Sequence, residues 1–110
     1  MALGTAWIRL DPRLTERLQA LSDEKRLRII DALRAGERCV CQLTEGLGFG
    51  QSLLSHHLRV LREAGLVSDR KEGRWVHYSL VPGALQELEE YFAELREEAV
   101  SGEPDFSGCV

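Results

Sequence analysis

Apolar residues recur every three or four positions through DPRLTERLQAL, at Leu10, Leu14, Leu18 and Leu21, with polar residues between them. That spacing lays a stripe along one side of a helix, and Pro12 suits a first turn, where its missing N–H has no partner to lose. A second helix is expected over residues 23–35. Ser22 offers an N-cap, SDEK brings acids into the first turn, Leu27, Ile29, Ile30 and Leu33 supply apolar faces, and Gly36 is a stop. A short third helix fits CQLTEGLG, closed by Gly46 or Gly48. A fourth fits QSLLSHHLRVLREAG, with Leu54, Leu58 and Leu61 inward and Gly65 at its end.

After Gly65 the period changes from that of a helix to that of a strand. In LVSDRKEGRWVHYSL, Val76, Tyr78 and Leu80 alternate with Trp75, His77 and Ser79, and KEGR is a turn with a positive φ expected at Gly73. This predicts a β-hairpin. Leu85, Leu88, Phe92, Leu95 and Ala99 then return to helical spacing in an acid-rich last helix, residues 84–100, followed by a tail, residues 101–110. The fold class is therefore mainly α with one β-hairpin, in the order ααααββα. The third and fourth helices, joined by the tight GFG loop, form a helix-turn-helix, and the hairpin is its wing.

The length of 110 residues suits one domain spanning residues 1–110. No apolar run is long enough to cross a bilayer, and MALGTAWIRLDPR lacks the basic start and apolar stretch of a signal peptide, so no membrane partner and a cytoplasmic location are expected. A net charge of −4 argues against a polyanionic partner until it is divided along the chain. Residues 1–80 carry thirteen Lys and Arg against ten Asp and Glu, whereas residues 81–110 carry Arg96 against eight acids. The acidity belongs to the last helix and tail, and the middle third can face nucleic acid.

On the fourth helix Gln51, Ser52, Ser55 and His56 occupy the first turns, where a docked helix meets base edges, and Arg59 continues along the polar side. Their short hydrogen-bonding side chains permit close approach. Arg70, Lys71 and Arg74 surround the hairpin turn, where they suit phosphate or minor-groove contacts. Each residue alone would be ordinary solvated surface; their combination in this order points to double-stranded DNA. His57 is expected to pack or to make an internal hydrogen bond, and His77 to lie at the surface.

From about Leu21 to Leu80 the chain resembles the ArsR/SmtB family of winged-helix repressors, most specifically in SLLSHHLRVLREAGLVSDRKEGRWVHYSL. ERCVCQL is similar to the cysteine motif of its arsenic-sensing members. The resemblance implies a homodimer formed by the first and last helices, a palindromic operator, and release of that operator when an inducer binds. It implies no permanent cofactor and no enzymatic activity.

Cys39, Cys41 and Cys109 make an odd count, and Cys39 and Cys41 are too close in sequence for an easy disulfide, so the thiols are expected to be free as ligands. As(III) and Sb(III) seek thiolates and typically take three, whereas structural zinc prefers four ligands. In the family motif a third cysteine often follows three residues after the second, and here that position is Thr44. Cys109, solvent or a small thiol would complete the set. Positions two apart in a helix point about 200° from each other, so one ion between Cys39 and Cys41 requires the first turn of the third helix to unwind. Such unwinding would disturb the fourth helix and weaken operator binding.

Zn or Cd sensing is a weaker reading, because the last helix contains no histidine for the family's other metal site. A thiol redox sensor pairing Cys109 with Cys39 or Cys41 is an alternative within DNA binding. A protein-interaction module without DNA binding would account for the acidic last helix but not for the basic wing. A cysteine hydrolase lacks any recognisable nucleophile context.

Overall fold

A computed structural model describes residues 10–102; Cys109 and most of the tail lie outside them. Helix α1, Pro12–Leu21, begins at Asp11, whose carboxylate accepts the Arg13 N–H at 2.9 Å, and it buries Leu14, Arg17 and Ala20. Leu10 and Leu18 stay exposed. The inward face is thus set by Leu14, Ala20 and an arginine rather than by the leucine stripe alone.

Helix α2, Glu24–Ala32, is capped by Asp23 and not by Ser22: the Asp23 carboxylate accepts from the Lys25 and Arg26 amides at 2.8 and 3.2 Å. Ser22 closes α1 instead, donating its hydroxyl to the Gln19 carbonyl at 2.8 Å. The helix ends at Ala32, three residues before the expected Ala35, with Leu33 as C-cap.

Strand β1, Arg38–Cys39, is an element the hydrophobic pattern does not announce. Helix α3, Val40–Leu47, follows it directly and stops at Gly48, whose φ of 76° suits a residue without Cβ. Helix α4, Gln51–Glu63, leads into β2, Val67–Glu72, and β3, Trp75–Leu80, with Gly73 at φ 61° in the turn as expected. The sheet order is β1-β3-β2 and all pairing is antiparallel. Cys39 sits opposite His77, and Arg38 opposite Tyr78, so the cysteine segment is a third strand of the wing sheet.

Ile29 and Leu33, Leu43, and Leu54, Leu58 and Leu61 bring the inner faces of α2, α3 and α4 into one core with Leu66. Each of these side chains contributes about 1.5–3 kcal/mol by leaving water. That core fixes α4 against α3, leaving the opposite side of α4 to solvent. Helix α5, Pro82–Ser101, buries only Ala84 and Leu88 and is otherwise mostly exposed. The architecture is the expected winged helix-turn-helix with β1 added. Among the described residues no helix is long and apolar enough to cross a membrane.

Candidate nucleic-acid interface and thiol pair

Gln51, Ser52, Ser55, His56 and Arg59 line one open depression on the outer face of α4, so the five residues selected from the pattern are neighbours in space. They share that face because Leu54, Leu58 and Leu61, at the complementary helical positions, are drawn into the core. His56 is exposed, and its Nδ1 lies 3.4 Å from an Arg59 terminal nitrogen.

His57, the next residue, is buried. An Arg26 terminal nitrogen donates to its Nδ1 at 3.1 Å, and Arg26 Nε donates to the Ala20 carbonyl at 2.6 Å. Because a guanidinium can only donate, the imidazole proton sits on Nε2. Burial holds His57 below the ordinary histidine range, with the Asp23 carboxylate opposing and the Arg26 charge adding to the effect. The expected internal role is therefore found: a neutral His57 anchors α4 to α2.

In the wing, Lys71 and Arg74 are exposed, and the Arg74 guanidinium lies 5.9 Å from the centre of the Trp75 ring. Arg70 is engaged differently. It donates from Nε and from a terminal nitrogen to the two carboxylate oxygens of Glu37, at 3.1 and 2.7 Å. Arg62 holds the base of the wing through Asp69 at 3.0 Å, and His77, half-buried rather than at the surface, faces Glu72 at 3.2 Å. Glu37 and Asp69 are arginine partners at the wing that sequence reasoning missed. Their partners lie 33 and seven residues away, and no local pattern in the sequence signals the first of these pairs.

The thiol pair departs most from expectation. Cys39 is the N-cap of α3, with an extended backbone (φ −79°, ψ 161°), and lies outside the helical turn. Its Sγ accepts the Gln42 N–H at 3.3 Å, while Gln42 Oε1 accepts the Cys39 N–H at 2.9 Å, closing a capping box. The Cys39 and Cys41 sulfurs are bonded to each other, with their Cα atoms 5.4 Å apart. Two expectations are corrected. The close spacing does not prevent a disulfide, and convergence of the sulfurs needs no unwinding, since the 200° argument applies only when both residues are helical. Among the described residues no group of three or more His, Cys, Asp and Glu could hold a metal ion.

Residues 23–69 match the model of the bacterial regulatory protein family arsR. The chain is 42% identical over 77 residues to the arsenical resistance operon repressor of Bacillus subtilis, covering 66% of this chain and 73% of that protein. This chain belongs to the arsR family.

An arsR-family repressor of the arsenical resistance operon in Escherichia coli is 52% identical over 63 residues, 56% of this chain and 54% of that protein, so the chain spans about half the length of that relative. The solution structure of Mb0332 from Mycobacterium bovis, a homodimeric winged helix-turn-helix DNA-binding domain described as a possible ArsR-family regulator, superposes with a TM-score of 0.65 at 26% identity. The match covers 84% of this chain and 86% of that one. These relatives are named as regulators and not as enzymes. Within the family frame, the exposed face of α4 corresponds to the second helix of a helix-turn-helix, and the cysteine segment joins that motif to its wing.

Proposed function

We propose that this arsR-family protein is a homodimeric repressor that binds operator DNA through α4 and the wing. It releases the operator when As(III) or Sb(III) binds the thiolates of Cys39 and Cys41. The observation that carries the reading is the meeting of the two sulfurs where α3 and β1 join, one residue of the pair capping the helix and pairing with β3. Gln51, Ser52, Ser55, His56 and Arg59 face base edges, Lys71 and Arg74 face the backbone, and Arg70 stands beside them in its pair with Glu37.

The pair binds in its reduced form. A dithiol reductant first converts the disulfide to two thiols and is itself oxidised. Arsenous acid then exchanges two hydroxyls for two sulfurs, releasing two waters, and the third position on arsenic keeps a hydroxyl or takes another thiol. Cys109 is a candidate for that third sulfur.

A second reading is favoured by the bond between the sulfurs itself: oxidation of the two thiols by hydrogen peroxide, giving the disulfide and two waters, is the signal. Zn and Cd are less suited, because they require ligands that the described residues do not gather here.

Fluorescence anisotropy of reduced protein on DNA from its own upstream region separates these readings. Arsenite is expected to release the wild type but not Cys39→Ser or Cys41→Ser, and loss in Cys109→Ser would add the tail as a ligand. Release by peroxide but not by arsenite would transfer the role to redox sensing. DNA binding that is absent, or indifferent to Arg74→Ala, would favour an interaction module.

A further inference from the structure

Beside the thiol pair runs a groove of about 600 Å³, and its walls come from three parts of the DNA-binding unit. Cys41 and Thr44 contribute from α3, Gln51 and Ser55 from the first turns of α4, and Arg74 and Trp75 from the wing. Gln51 and Ser55 also belong to the open depression on the outer face of α4, so the groove and the base-reading surface are continuous. The two cysteines differ in access. Cys39 is 7% exposed, whereas Cys41 is open to solvent and lines this groove.

We propose that Cys41 lies within the operator-binding surface itself, so that duplex DNA and the inducer compete for one groove. The proposal rests on the reading of the thiol pair as the inducer site. Double-stranded DNA is the occupant that the lining fits: the Arg74 cation stands on the wing side, and the Gln51 amide and Ser55 hydroxyl offer hydrogen bonds from the helix side. Glu45, the one acid in the lining, disfavours phosphate on the α3 side and directs the backbone toward Arg74.

The geometry also weakens the alternative of release by distortion. Cys39 caps α3 from outside the helix, so its sulfur reaches that of Cys41 while α3 stays wound and α4 stays packed on the core. A metalloid held by Cys41 adds its bulk on the groove side. Exclusion there needs no second conformation of α4.

Competition and distortion differ kinetically. A competitor captures only protein that has already left the DNA, whereas an allosteric ligand binds the complex and raises its dissociation rate. The full-length reduced protein, bound to fluorescent operator, is chased with excess unlabelled operator with and without arsenite. The proposal expects one dissociation rate at every arsenite concentration. A rate that rises with arsenite overturns it.

A second arm uses no inducer. In protein carrying Cys39→Ser and Cys109→Ser, Cys41 is the remaining thiol, and serine preserves an N-cap acceptor at position 39. Alkylation by N-ethylmaleimide is expected to slow in proportion to the fraction of protein bound to operator, and to recover when salt dissociates the complex. An unchanged rate on saturating operator overturns the proposal. If arsenite releases no DNA from wild type, the inducer reading fails, and the alkylation arm still decides whether Cys41 lies beneath the duplex.

Discussion

Arg70 and Glu37 form a two-point clamp that ties β2 of the wing to the turn leading into Cys39, with nitrogen-to-oxygen distances of 3.1 and 2.7 Å. The clamp holds the wing beside the cysteine segment, and it also occupies a cation that DNA phosphate would otherwise attract. Glu37→Gln is expected to release Arg70 and make the dependence of log K on log salt steeper by about 0.9, the contribution of one further phosphate contact. The hydrogen bond from Arg70 holds the Glu37 carboxyl below the usual carboxylate range, so the clamp is complete above about pH 4.5 and is lost as pH falls through the lowered value. Anisotropy titrations of both proteins over a salt series decide the point; equal slopes would mean that loss of the clamp adds no backbone contact.

Arg74→Ala and Gln51→Ala should fail in different ways. Arg74 is exposed at the wing tip, so its loss should weaken binding to operator and random DNA alike and make the salt slope shallower by about one contact. Gln51 opens α4, and its loss should cost about 1–3 kcal/mol on the operator while barely changing random-sequence binding. Competition assays against operators with single base-pair changes would locate the position that Gln51 reads.

The elements with long, unambiguous periods were legible before any coordinates: α4, the hairpin and α5 fall where the apolar spacing puts them. Strand β1 was not, because two residues carry no period and its pairing is supplied by β3. Ser22 and Asp23 are both good caps, and the choice between them depends on where α1 ends. The five α4 surface residues came out together because one helix face carries them. The Arg70–Glu37 and Arg26–His57 pairs depend on contacts across 33 and 31 residues, which no local pattern encodes. The cysteines show both limits: their chemistry was legible, but their geometry was misjudged because a cysteine at an N-cap is unusual.

Arg17 is buried in α1 and links two other elements. Its Nε donates to the Ala64 carbonyl at 3.2 Å, at the C-terminal end of α4, and a terminal nitrogen pairs with Glu87 of α5. The two partners are unequal: side-chain exposure is 8% for Arg17 and 63% for Glu87. Arg17→Ala strips a buried carbonyl of its donor and should cost about 1–3 kcal/mol in denaturant unfolding. Glu87→Gln keeps the packing and removes only a solvent-screened attraction, so its loss should be well under about 1 kcal/mol.

His57 makes stability fall in mild acid. Its folded-state value is depressed, first of all by burial, so between that value and about 6.5 the unfolded chain binds a proton that the folded chain does not. Stability is therefore complete above about pH 6.5 and declines as pH drops toward the lowered value. Chemical unfolding of wild type and His57→Gln at pH 7.5 and 5.5 tests this. The variant should be less stable than wild type at the higher pH and should lose less on acidification; equal losses would place the proton elsewhere.

Helix α5 presents an apolar stripe that its own subunit does not cover. Phe92 is 49% exposed and Leu95 47%, while Leu88 and Ala84, about one and two turns before Phe92, are buried. Twenty residues span about 30 Å, long enough for the second half of the helix to reach beyond the core on which the first half packs. A second copy of the stripe is the partner expected of a dimer, and two copies of α4 would then address two half-sites. Phe92→Glu with Leu95→Glu sets like charges against each other across such an interface without touching a buried residue. Sedimentation velocity should show the wild type as a dimer and the double variant as a monomer with its fold intact by circular dichroism. The variant should also lose most of its operator affinity, because each half-site is then bound alone. A double variant that remains dimeric would move the interface away from this part of α5.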